Sequence, residues 1–75
     1  MSRPPRVSGK DVLGALLRAG YAESHVRGSH HYLRKPGASG LVTVPVHGNR
    51  TLPPKTLQSI LRQAGMTADE LSGHL

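Results

Sequence analysis

Gly28-Ser29-His30-His31 sets two imidazoles directly behind a Gly-Ser turn, in a 75-residue chain with no cysteine and four acidic residues. Imidazole accepts and donates protons near neutral pH at its ordinary pKa, so this pair supplies the side chains best suited to acid–base work. A third histidine, His47, follows a valine-rich stretch and precedes Gly48, a position that suits a turn, a substrate contact or a second proton transfer equally well. His25 and His74 read as surface residues. A zinc site built from His30, His31 and His47 is disfavoured: neighbours on a strand point to opposite faces, and no carboxylate lies close in sequence. On residue chemistry alone, a single histidine is more often packed or solvated than catalytic.

Charge points to the class of partner. Ten Lys and Arg against four Asp and Glu give a formal net charge of +6, and the cations run along the whole chain from Arg3 to Arg62. A small folded domain this basic reads first as a binder of phosphate backbones. An anionic membrane fits less well, because no segment joins a basic face to an exposed aromatic or leucine-rich one. No apolar run approaches the length that spans a bilayer. The start, Met1-Ser2-Arg3-Pro4-Pro5-Arg6, lacks the apolar core of a signal peptide, so the cytoplasm is the expected compartment. With no Phe, no Trp and two Tyr, a base-stacking platform for single strands is not expected, and sequence preference should be weak.

A chain of this size buries only about 60% of its unfolded surface, too little to enclose a large cofactor pocket beside a core. Residues 1–7 are rich in Pro and Arg and read as a flexible N-terminus, leaving a single domain over 8–75. Ser8 and Asp11 match a capping box, and Val12, Leu13, Leu16 and Leu17 recur on one face of a helix from about Gly9 to Ala19. Three strand-like stretches follow: Tyr21–Arg27, Ser29–Lys35 and Leu41–Val46. Gly28 makes the first connection, Pro36–Gly40 forms a hairpin loop, and Pro45 suits a sheet edge. Alternation puts His31 and Leu33 on one face of the second strand and His30, Tyr32 and Arg34 on the other, and neither set is cleanly apolar. Beyond the polar loop His47–Thr51, a second helix begins near Pro53-Pro54 and carries Leu57, Ile60, Leu61 and Ala64 up to Gly65. Thr67 and Glu70 cap a last short turn, Ala68–Ser72. The order is α-β-β-β-α, an α+β fold whose compact solution is a three-stranded antiparallel sheet with both helices on one face.

Several segments then match a known family in order. They are Ser8-Gly9-Lys10, Ala19-Gly20-Tyr21, Arg27-Gly28-Ser29-His30-His31-Tyr32, Val42-Thr43-Val44-Pro45-Val46-His47-Gly48 and the run from Thr56 to Met66. Together they resemble the HicA-type toxins, small mRNA interferases of toxin–antitoxin pairs. The resemblance implies a double-stranded-RNA-binding-like fold and RNA cleavage by one histidine that follows Gly-Ser with one residue between. Carried over, that residue is His31, with His30 the second choice because both positions after Ser29 are histidine. The implied partners are mRNA and a HicB-type antitoxin that masks the histidine. The free chain is expected to be a monomer, and the complex a hetero-oligomer. No cofactor and no metal are implied.

Cleavage of this kind needs a proton taken from a ribose 2′-hydroxyl, attack of that oxygen on phosphorus, and a proton for the departing 5′ oxygen. Ser29, Arg34, Lys35, His47 and Arg50 are the residues expected to hold substrate and stabilise charge on phosphorus. The competing readings are a non-catalytic RNA- or DNA-binding module of the same fold, and an interaction protein whose basic surface docks on an acidic partner. A small antitoxin gene in the neighbouring reading frame separates the first reading from these.

Overall fold

The computed structural model describes residues 6–75. Within them the elements are α1 (Gly9–Arg18), β1 (Ala22–Arg27), β2 (His30–Arg34), β3 (Val42–Pro45), α2 (Pro54–Ala64) and α3 (Ala68–Ser72). The strands form one antiparallel sheet in the order β1-β2-β3. The expected α-β-β-β-α order with a short helical tail is therefore the observed one. Of the expected flexible stretch 1–7, residues 1–5 lie outside the described residues, and Val7 belongs to the packed domain. It is buried, and its carbonyl accepts from the Leu52 N–H at 2.8 Å.

Local chemistry fixes the helix ends. The Ser8 hydroxyl accepts from the Asp11 N–H at 3.1 Å, and the Asp11 carboxylate accepts from the Ser8 N–H at 3.1 Å, so α1 starts with two of its orphan donors satisfied. Pro54 opens α2, where its missing N–H costs nothing, and Gly65 closes it at φ 63°, a left-handed conformation that favours glycine. Thr67 and Glu70 repeat the capping box for α3. Hydrogen bonds from the Thr67 backbone and then its hydroxyl hold the Glu70 carboxyl below its ordinary pKa. That capping contribution is present at neutral pH and disappears as pH falls through the depressed value.

Sheet register decides which face of β2 is inside. Leu33 pairs with Val42 and His31 with Val44, so these four side chains share one face. Leu33, Val42 and Val44 are buried, in one cluster with Val12 and Leu16 of α1, Leu57 and Ile60 of α2, and Leu71 of α3. Burying each such side chain contributes about 1.5–3 kcal/mol. The helices thus cover the face that carries His31 and Leu33. His30, Tyr32 and Arg34 project from the helix-free face.

Two contacts set how the layers meet. Gly9 lies so close to β3 that an added Cβ would fall 1.9 Å from the Pro45 carbonyl oxygen. At the outer rim of β3, the Gln63 side-chain carbonyl accepts from the Thr43 N–H at 2.8 Å. Pro45, two residues on, has no N–H to offer. Among the described residues no helix is long and apolar enough to cross a membrane.

Candidate active site

The Gly28-Ser29 turn joins β1 to β2 with Arg27 paired to His30, and Gly28 takes φ 60° to make it. This tight hairpin holds both histidines on a regular strand, facing opposite ways.

On the helix side, Nδ1 of His31 meets Oε1 of Glu23 in a short hydrogen bond that is also an ion pair when the ring is protonated. A β-bulge between Glu23 and His25 makes this contact. Val26 is paired with His31 and shares its face. Strict alternation from Val26 would then turn Ser24 toward His31 and Glu23 away. The extra residue re-aims Glu23 onto the histidine's face. Val44 and Val26 are the ring's direct cross-strand neighbours, and the side chains of His31 and Glu23 remain 22% and 38% exposed. The result is an imidazole fixed at one nitrogen by a carboxylate and still reachable from solvent.

Glu23 was not visible as a site residue in the sequence. It stands eight positions before His31, and only the bulge, which leaves no mark in a strand with no buried residue, aligns the two.

On the helix-free side, His30 is exposed, with Arg27 across one strand boundary and Pro45 across the other. Ser29 lies within 3.4 Å of His47 (Oγ to Nε2), and its carbonyl accepts from the Val46 N–H at 2.8 Å, so the hairpin tip is tied to the end of β3. His47 and Arg50 line a cleft of about 280 Å³ together with Pro45, Thr51 and Thr56. Ser29, His30, His47 and Arg50 therefore gather at one end of the sheet.

Arg34 and Lys35 do not join them. Both line a second cleft of about 370 Å³ at the far end of β2, with Ala22, Glu23, Ser24 and Pro36. Arg34 is three residues from His31, about 10 Å along the strand, and projects from the opposite face. Lys35 sits 5.5 Å above the Tyr21 ring, a cation–π contact that also explains where its charge goes. Among the described residues, no group of three or more His, Asp or Glu is arranged to hold a metal ion.

No curated protein matches the chain. A family model described as the HicA toxin of bacterial toxin–antitoxin matches residues 9–66, from the first residue of α1 to just beyond α2. The matched span contains the capped helix, all three strands, both histidines and Glu23, and leaves only α3 and the termini outside it. The chain belongs to the HicA toxin family of bacterial toxin–antitoxin systems.

Proposed function

We propose that this HicA-family toxin is a metal-independent endoribonuclease, that it cuts mRNA in the cytoplasm by histidine acid–base catalysis, and that a HicB-type antitoxin neutralises it. The observation that carries the reading is the Glu23–His31 contact. With Nδ1–H donating to the carboxylate, Nε2 keeps its lone pair and can act as the base. His31 takes the 2′-hydroxyl proton, the 2′ oxygen bonds to phosphorus, and the bond from phosphorus to the 5′ oxygen breaks as that oxygen gains a proton from solvent water. The products are a 2′,3′-cyclic phosphate and a 5′-hydroxyl. Glu23 stabilises the imidazolium formed in the first step, as a buried carboxylate does in hydrolase triads.

A second reading exchanges the two histidines. His30 is exposed, is paired with Arg27, and has His47 nearby across Ser29. The surrounding cations serve either reading. Arg50 and Arg27 are at the histidine end of the sheet, whereas Arg34 and Lys35 would meet RNA further along the chain.

The direct test is to incubate the purified chain with RNA in EDTA and identify the ends produced. Cleavage leaving cyclic phosphate is the expected result. Binding without cleavage would reduce the protein to an RNA-binding module. The charge makes a further expectation: for single strands, affinity should fall by about 0.7 log units per log unit of salt for each phosphate neutralised. A flat response between low and physiological ionic strength would remove nucleic acid as the partner. For the antitoxin, a partner offering acidic or carbonyl groups should cover the cationic histidine end. In a complex with the product of the neighbouring reading frame, His31 should be protected from diethyl pyrocarbonate. Equal modification of His31 in the free chain and the complex would contradict occlusion.

A further inference from the structure

The helix-free face of the sheet has no role in the chemistry assigned to His31, yet it concentrates the features of a nucleic-acid surface. His25 of β1 and Tyr32 of β2 are cross-strand partners, and their rings stack with centroids 4.4 Å apart and planes 8° from parallel. Arg27 lies toward the hairpin tip from this pair, and Arg34 toward the other end, both exposed. The rows holding the two arginines are four residues apart on β2, about 13 Å. Among the described carboxylates, only Glu23 comes near this face, at the margin of the cleft that also holds Arg34. Glu23 has been turned to the other side by the bulge, Asp11 caps α1, and Asp69 and Glu70 belong to α3, which contacts α1.

A scarcity of aromatic residues argued against a stacking platform, but count alone is a poor guide. The His25 and Tyr32 rings are stacked on each other, with cations at either end of the pair.

We propose that this face binds single-stranded RNA, with a base stacked on the His25–Tyr32 pair and the flanking phosphates held by Arg27 and Arg34. Charge complementarity selects a polyanion, and the exposed ring pair selects unpaired bases, since the bases of a duplex are already stacked on one another. The proposal rests on the nuclease reading and adds to it where the substrate lies. A strand on this face meets His30 directly, and reaches His31 only by passing around the Gly28-Ser29 turn.

The test uses fluorescein-labelled single-stranded RNA with 2′-O-methyl riboses, which the wild-type chain can bind without cutting, and reads affinity by anisotropy across a salt series. Tyr32→Ala should weaken binding on the order of tenfold, and Tyr32→Phe, which keeps the ring, should restore it. Arg27→Gln should weaken binding and lower the salt slope by about 0.7. Because Tyr32 is half-buried, His25→Ala carries the same test at an exposed position should Tyr32→Ala fold poorly. In NMR spectra, RNA should shift the Tyr32 ring and leave that of Tyr21, whose hydroxyl donates to the Ala64 carbonyl inside the fold, in place. If His25→Ala and Arg27→Gln bind as wild type does while wild type still binds and cuts RNA, the platform is overturned and the nuclease reading stands. If wild type neither binds nor cuts RNA, the nuclease reading itself fails. Loss of antitoxin binding with RNA affinity unchanged would reassign the face to a protein partner and overturn the proposal.

Discussion

His31→Ala should reduce RNA cleavage by about 10²- to 10⁴-fold, the usual worth of a positioned acid–base group, and abolish growth arrest. The variant should keep the circular dichroism of the wild type and its grip on the antitoxin, because the buried cluster of Leu33, Val42 and Val44 beside the ring is unchanged. Glu23→Gln should lower activity by a smaller factor, since the amide still fills the site but cannot stabilise the imidazolium. Glu23→Asp, which keeps the charge, should recover part of the loss. His30→Ala should cost less than His31→Ala, acting through substrate placement. The two histidine variants have distinct failure patterns. A toxic His31→Ala beside an inert, folded His30→Ala moves the chemistry one residue earlier, onto the helix-free face. Toxicity in both single variants sinks the histidine mechanism.

Gly9→Ala should be the most damaging small substitution in the molecule. The added methyl would sit 1.9 Å from the Pro45 oxygen, 2.9 Å from the Pro45 carbonyl carbon and 3.2 Å from the Val46 Cα, all backbone atoms that no rotamer change can move. Relief requires α1 to back away from β3, opening the packing of Val12 and Leu16 on Val44. Overpacking of this kind costs about 1–3 kcal/mol or more. A domain of this size has only about 4–11 kcal/mol of stability, and each kcal/mol lost lowers its melting temperature by about 4–8 °C. Gly14→Ala is the matched control. There the nearest atom is the Arg18 guanidinium at 3.3 Å, the far end of a flexible side chain, and alanine within a helix is favoured over glycine by about 0.5–1 kcal/mol. Thermal melts should therefore move in opposite directions for two identical substitutions on one helix. A Gly9→Ala melting within a few degrees of wild type would mean the contact is softer than the backbone positions require.

Features set by neighbours in sequence could be read from it. The boxes at Ser8/Asp11 and Thr67/Glu70 need only three-residue spacing, Gly28 and Gly65 sit where the chain must take positive φ, and Val42, Val44 and the α2 heptad-like run display their periods openly. The face of β2 was not legible. His30, Tyr32 and Arg34 on one side and His31 and Leu33 on the other balance too evenly, and the matter is decided by the pairing of Leu33 with Val42, a tertiary fact. Strand β1 was faint for the same reason: none of its residues is buried, so it has no apolar alternation to show. The candidate site divides likewise. The nearness of Ser29, His30 and His31 is local, but the grouping with His47 depends on how β3 ends. The separation of Arg34 and Lys35 from Arg50 follows from strand length, which sequence proximity concealed. Glu23 was hidden by a bulge that inverts the parity of everything before it.

The side chain of Gln63 has a consequence for how this molecule meets other chains. With the Thr43 N–H occupied and Pro45 lacking a donor, the outward row of β3 offers no amide hydrogen to an incoming strand at those two positions. The opposite rim, along β1, has every residue exposed, and its regular ladder is interrupted at the bulge between Glu23 and His25. The sheet is therefore a one-sided template that can be lengthened past β1 and is blocked past β3. A newly added strand, whether from an antitoxin or from another copy at high concentration, would come to lie against the bulge that aims Glu23.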